Sequence, residues 1–503
     1  MSDAVLSGAI DEHPPRIVLG SICLAGFALA SAIIAHLLSP ALGIGLSLLF
    51  GLLIGTSFSA YAATSVLIFF LFQNLLISIV SPSISGESAL TIMRSTNFVL
   101  TFSIWSAMVF AYVIGRHRYS GISRKFNAIV VVMLIVGLYF AIGLVRYGEA
   151  SIFYFRNIFT PLMFLHIALI SFHKYSLRFK EIITTLLIVI LVYGYAEISL
   201  GQTFLELINR DEYSKLTTLS YSVYPLGPWL ERMEQTGYVT RDVYESKKDY
   251  LFNFTLFSGL GRIIMRPGGT NLHSISYAYV IAVFTLTLFA MGRKVFLLAA
   301  LPMLLFIGSK GAMVFLLLTL AGLIAVNYSR STKVLYGFVF LLASYAIVAL
   351  LTAIAVKNFH ALGLIAGLKS FPQNPIGHGL GSSGILSVEF TEIDWNAAQH
   401  SGSTDVVVES AIAVLLNQMG AATFAIVGLN IWLARQAWRR FQATGEKTLA
   451  AAAFMLLAIT TNGIFHEEAL FAPLAQGSVM IIVGFALGRY GSSAKPIHPL
   501  PGG

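Results

Sequence analysis

About fourteen apolar runs divide this chain, each near the length that carries a helix across a bilayer, and they leave little room for any other architecture. They cover roughly residues 17–38, 41–57, 60–80, 96–115, 127–145, 157–173, 181–200, 272–291, 294–308, 311–327, 334–356, 406–433, 448–464 and 470–488. The second run is short and glycine-rich and the sixth is also short, so the expected number of crossings is about 12–14. Composition agrees. Hydrophobic residues make up 57% of the chain and charged residues 11%, where a soluble domain carries roughly 25% charged residues. The mean hydropathy is +0.80. The expected fold class is an all-α, polytopic integral membrane protein. The single Cys23 lies inside the first run, which removes an intrachain disulfide framework and a cysteine-based metal site.

Lysine and arginine orient the runs. The loops 116–125, 173–180, Arg293 with Lys294, Arg330 with Lys333, and 435–440 fall on one face when the runs are counted as crossings. Short cytoplasmic loops collect Lys and Arg, so that face is expected to be the cytoplasm, with both termini on it. These loops account for most of the +9 net charge, and nucleic-acid binding is not expected. The N-terminal tail is acidic and contains proline (Asp11, Glu12, Pro14, Pro15), and it does not resemble a cleaved signal peptide. The chain then divides into N-terminal membrane helices (1–200), a first large outer loop (201–271), central membrane helices (272–356), a second large outer loop (357–405), and C-terminal membrane helices with a cytoplasmic tail (406–503). Connections of this length in a compact protein are usually functional or disordered. The first large loop carries Tyr213, Tyr221, Tyr224, Trp229, Tyr238, Tyr244 and Tyr250 with charges of both signs.

Candidate chemistry gathers on the outer face. Arg262 and Arg266 precede Pro267-Gly268-Gly269 and the start of an apolar run. Four residues apart, they would share one face of a helix, and a guanidinium fork fits a phosphate or carboxylate. The competing reading is a pair of interfacial arginines meeting lipid headgroups. Thr270, Asn271, His273 and Ser274 follow, offering hydrogen bonds and a helix N-terminus toward an anion. Lys310, between Gly308 and Gly311, is either a membrane-plane cation of the same site or a snorkelling anchor. Gly379, Gly381 and Gly384 formally satisfy G-x-G-x-x-G, but no βαβ unit surrounds them, so they are either an anion-lining turn or a plain loop. Glu409 stands four residues after Asp405 just inside an apolar run, where a carboxylate is costly unless functional or paired. It is a candidate general base, with a structural ion pair to an arginine as the alternative. His466, Glu467 and Glu468 lie in the last outer loop and lack the spacing of a metal signature.

These pieces resemble the bacterial O-antigen ligase and O-antigen/exopolysaccharide polymerase superfamily, membrane glycosyltransferases acting on undecaprenyl-pyrophosphate glycans, over roughly residues 260–430. Arg266 to Gly269, with Asn271 after it, looks like the family's Arg-x-x-Gly segment opening a span. Ser309-Lys310-Gly311-Ala312 looks like its Ser-Arg-Gly-Ala turn with Lys for Arg, which keeps the charge and loses the fork. Asn374 to Gly381 looks like the glycine-rich part of its main outer loop. Glu409-Ser410, nine residues, Gly420, two residues and Thr423 fit the ligases' histidine pattern, with Glu in place of His.

The resemblance implies a GT-C-like membrane enzyme of the bacterial inner membrane with a periplasmic active site, using no metal and no cofactor. Arg262, Arg266 and Lys310 would hold the pyrophosphate, with Arg266 also catalytic. Glu409 would be the catalytic base. His273, His378, His400, Asp405, His466 and Glu467 are candidates for acid–base or acceptor contacts. Partners would be the lipid-linked glycan and the bilayer, with a chain-length regulator or a flippase as further candidates. Glu409 for His favours a polymerase, with a ligase acting on lipid A-core or another acceptor as the alternative. A flippase for lipid-linked sugars is the rival of another class. It calls for charges along a mid-membrane path, where Glu197 is the nearest candidate.

Overall fold

A computed structural model describes residues 14–115, 119–175, 177–220, 248–253, 259–261, 264–387, 390 and 393–489. Arg262 lies outside this set, as do Tyr221, Tyr224, Trp229, Tyr238 and Tyr244. Helices dominate because an apolar segment without water must satisfy its own backbone groups. In chain order they are α1 (Pro14–Leu38), α2 (Pro40–Thr56), α3 (Ala62–Val80), α4 (Glu87–Arg94), α5 (Thr96–Ile114), α6 (Ser120–Tyr147), α7 (Glu149–Lys174), α8 (Phe179–Leu200), α9 (Gln202–Leu207) and α10 (Arg210–Ser220). Two short strands follow, β1 (Lys248–Asp249) and β2 (Ile264–Met265), paired antiparallel with Lys248 opposite Met265. The second half holds α11 (Ser274–Ala290), α12 (Val295–Ile307), α13 (Lys310–Ala325), α14 (Thr332–Ala355), α15 (Phe359–Ser370), α16 (Trp395–Ser401), α17 (Ala411–Met419), α18 (Thr423–Thr444), α19 (Lys447–Asn462), α20 (Glu467–Phe471) and α21 (Pro473–Arg489).

Among the described residues, eight helical segments are long and apolar enough to cross a membrane, and shorter apolar helices of 10–17 residues accompany them. Each expected apolar run holds such a helix, and the chain is a membrane-embedded all-α protein. The run 406–433 differs in form. Its helix begins only at Ala411, and Gly420, with φ +54°, separates α17 from α18. Helix α11 is buried along almost its whole length and packs on α8, α12, α13, α19 and α21. Helices α7 and α21 pack closely, because small residues let the backbones meet. A Cβ on Gly484 would stand 2.4 Å from Cβ of Ala168, and one on Gly488 2.9 Å from Leu169 O. Helix α14, by contrast, buries little of its apolar surface, which suits a lipid neighbour.

The five basic loops meet at one end of this bundle. Arg293 Nη2 lies 3.6 Å from Glu181 Oε1, near the start of α8. Gly488 packs against the backbone of His173. Arg440 Nη1 donates to Leu487 O at 2.8 Å and stands within electrostatic reach of Lys125. Gln442 Nε2 donates to Arg330 O at 3.1 Å. The chemistry-bearing residues lie at the opposite helix ends.

Candidate active site

The arrangement starts from a buried carboxylate. Glu197, near the end of α8, accepts the backbone N–H of Gly268 on Oε1 at 3.0 Å and that of Gly269 on Oε2 at 2.9 Å. Gly269 has φ +66°, and a Cβ there would meet the Tyr277 ring at 2.3 Å, so only glycine fits. This pinned turn takes the place of the helix expected to carry Arg266, and Arg262 lies outside the described residues. Residues Ile264–Met265 form a strand, and Pro267 with the two glycines opposes a helix until Ser274, where His273 is the N-cap. Arg266 therefore projects from a turn held by Glu197. Its Nε is buried and has no hydrogen-bond partner. Burial lowers the guanidinium's pKa, while the carboxylates of Asp249 and Glu468 oppose the shift.

Three further arginines, which sequence reasoning missed, complete a cationic wall. Arg210 Nη2 donates to Leu272 O at 3.3 Å, and its Nε and Nη1 are buried without hydrogen-bond partners. Gln73 Nε2 donates to Arg94 O at 2.9 Å, and the adjacent Asn74 Nδ2 donates to Asn271 O at 2.8 Å. These two bonds tie the end of α4 to the segment before α11. His273 feels the result. Burial first, then the charges of Arg266, Arg210 and Arg94, push its pKa down to about 4, so it is neutral at physiological pH. Its Nδ1 accepts the Ser276 N–H at 3.3 Å, which leaves the ring proton on Nε2. Arg94 also lies within electrostatic reach of Arg156 on α7.

Opposite this wall stand acids and imidazoles. Glu409 is not on a helix: its φ is +66°, and Ser410 caps α17 by accepting the Ala413 N–H on Oγ at 3.3 Å. Asp405 and Glu409 therefore share no helical face. A left-handed glutamate is uncommon backbone, of the kind that concentrates at functional sites. Glu409 Oε2 lies 3.2 Å from His360 Nδ1, close enough for an ion pair but outside hydrogen-bond angles, so Nδ1 counts as unpaired. His360 sits in the first turn of α15 and lies edge to face with His466, their ring centroids 4.6 Å apart.

Burial lowers the His466 pKa to about 4, with His360 and Lys310 adding to the shift and Glu409 opposing it. Burial raises the Glu468 pKa. Glu409 adds to that, while His360 and Arg266 pull it back. Lys310 opens α13 after the left-handed Gly308 and the N-cap Ser309, and a Cβ on Gly311 would stand 2.9 Å from the His466 ring. Arg266, Glu468, Glu409, His360, His466 and Lys310 thus share one electrostatic neighbourhood. His360 and Glu468 carried no motif. Their roles come from neighbours distant in sequence.

The remaining candidates sit elsewhere or are already engaged. Glu467 is fully enclosed. Tyr154 Oη donates to its Oε1 at 2.5 Å and Ile385 N–H donates to Oε2 at 3.2 Å, so it fastens the glycine-rich loop. Burial raises its pKa to about 8 against the pull of those donors. The loop spends its backbone N–H groups on structure: Gly379 donates to Gln418 O at 2.8 Å, Leu380 to Tyr139 O at 3.1 Å and Gly384 to Val407 O at 2.8 Å. That use favours the loop reading over an anion-lining turn. His378 meets Asn374 Nδ2 at 3.2 Å, on the loop's far side against α6 and α17. His400 is exposed on α16. Asp405 lies at the rim of a separate cavity. No family model matches this chain, and no curated protein matches it.

Proposed function

We propose that the chain is a membrane glycosyltransferase that polymerises lipid-linked glycan repeats at the periplasmic face of the bacterial inner membrane, with about 12–14 crossings and the basic loops in the cytoplasm. The observation that carries this reading is the convergence of Arg266, Lys310, Glu409 and Glu468 in one electrostatic neighbourhood, next to Arg94 and Arg210. Buried guanidinium N–H groups without hydrogen-bond partners, on Arg210 and Arg266, suit an anion, and a pyrophosphate on an isoprenoid carrier brings one to a membrane surface.

Arg266, Lys310, Arg94, Arg156 and Arg210 hold the pyrophosphate of undecaprenyl-pyrophosphate glycan. An acceptor-sugar hydroxyl attacks the anomeric carbon of the donor, and the bond from that carbon to phosphate oxygen breaks. Glu409 takes the hydroxyl proton, and undecaprenyl pyrophosphate leaves with its charge neutralised by the arginines. Loss of one such charge costs roughly 3 kcal/mol in the barrier. Glu197 is occupied as the anchor of the Pro267–Gly269 turn, which argues against a transport path through it.

Two observations support variants of this reading. The raised pKa of Glu468 and its place near Glu409 and Arg266 suit a base as well as Glu409 does. The imidazoles of His360 and His466 beside Glu409 weaken the ground for preferring a polymerase over a ligase, since that ground was a missing histidine. The test is incubation of the purified protein with a lipid-linked repeat unit. A ladder of products supports polymerisation. Single transfer to a different acceptor with no ladder supports a ligase, and no transfer at all overturns both.

A further inference from the structure

We infer that a second cavity, beside the reacting centre and built from different residues, is a subsite for a neutral sugar of the glycan chain, a proposal that rests on the glycosyltransferase reading above. The cavity measures about 380 Å³ and lies between α15, the glycine-rich loop, segment 401–407 and α17. That volume is within the range of small-ligand pockets, roughly 300–1,000 Å³. Its charge is balanced: Lys369 and Asp405, both exposed, stand at its rim and contribute opposite signs. This contrasts with the arginine wall and does not select an anion.

The lining is made of hydroxyls and amides. Ser382 Oγ donates to Asn417 Oδ1 at 3.1 Å, Asn417 Nδ2 donates to Ser370 Oγ at 3.1 Å, and Ser370 Oγ donates on to Gly367 O at 3.4 Å. The direction of this relay leaves lone pairs on Ser382 and a second N–H on Asn417. The wall thus offers acceptors as well as donors. A phosphate or carboxylate uses donors only, whereas a sugar hydroxyl both donates and accepts. Deeper in the same lining, Ser383 is 1% exposed and Thr404 4% exposed, and neither hydroxyl has a hydrogen-bond partner. Buried polar groups are normally paired, so unpaired ones lining an open cavity point to a polar occupant.

The position follows from one helix. α15 carries His360 in its first turn, against Glu409, and Lys369 near its end at the cavity rim. Nine residues of helix place Lys369 about 14 Å from His360, while Val407, two residues before Glu409, lines the near side of the cavity. The subsite therefore takes a unit of the chain next to the reacting sugar.

The probe is the water-soluble repeat-unit oligosaccharide released by mild acid from the cell's own lipid-linked glycan. Its binding to the full chain in nanodiscs is measured by saturation-transfer NMR and titration. Ser401→Trp fills the cavity from its exposed rim, and Ser370→Ala with Ser382→Ala removes wall hydroxyls. The expected result is a Kd raised at least tenfold in both, and unchanged within twofold in Arg266→Ala. Binding that is insensitive to both cavity variants, or that depends on Arg266, overturns the subsite. So does a wild-type protein that makes a product ladder but does not bind the probe. A wild-type protein that neither makes a ladder nor binds the probe overturns the parent reading as well.

Discussion

Glu409 and Glu468 are both candidates for the base of the proposed transfer, but their surroundings differ. Glu409 stands on strained backbone against His360, while Glu468 sits between Glu409 and Arg266 with its pKa raised by burial. With Glu409 as base, Glu409→Gln lowers ladder formation by about 10²–10⁴-fold and Glu468→Gln by much less. If Glu468 carries the proton instead, the losses exchange. The acid limb of the rate profile then lies above the ordinary carboxylate range, because a base works deprotonated and activity falls as pH drops through a raised pKa. Initial rates of the two variants across pH separate these outcomes. Glu467 has a different task and a different readout. Its pKa rises from 4.5 to about 8 on folding, so the stability contributed by its protonated form is full below 4.5 and is lost as pH rises through 8. Glutamine does not titrate. Between pH 5 and pH 8.5 the melting temperature of the wild type should therefore fall further than that of Glu467→Gln, and parallel curves would remove the buried acid from the account.

Helix α15 is the element that puts an imidazole beside Glu409, and it does so by close approach. A Cβ on Gly363 would stand 1.9 Å from Val408 O, so the helix rests directly on the backbone that leads to Glu409. Gly363→Ala should push the two apart, at a cost of about 1–3 kcal/mol for overpacking. The expected outcome is at least a tenfold loss of transfer per folded molecule, with a modest drop in melting temperature; full activity would mean that His360 does not need its present place. This element also shows where sequence reasoning stops. Apolar runs were legible because helix and bilayer impose a length and a composition on them. Arg266, Lys310 and Glu409 were legible because each carries a charge next to a turn or a span end. Arg94, Arg156, Arg210 and His360 were not, because they lie on four separate elements and only packing brings them near the other charged groups. The left-handed Glu409 was read as helical for the same reason: the tertiary hold on residues 407–410 overrides the local pattern.

At the scale of the whole molecule, the two ends of the bundle differ in chemistry. One end collects the loops around Arg124, Arg293, Arg330 and Arg440, which meet one another and the chain near Leu487. The other carries the arginine wall, the carboxylates and the hydroxyl-lined cavity. With the basic loops in the cytoplasm, as proposed, the site would lie on the periplasmic side, where lipid-linked glycans already carried across would reach it. The prediction uses the single native cysteine. In a Cys23→Ser background, cysteines replace Tyr328, 87% exposed among the basic loops, or Gln373, exposed at the rim of the cavity. A membrane-impermeant maleimide added to intact spheroplasts should label Gln373→Cys at once and Tyr328→Cys only after permeabilisation. The reverse pattern would face the arginines toward the cytoplasm, where glycan repeats are assembled one sugar at a time rather than joined, and a polymerase could not work there.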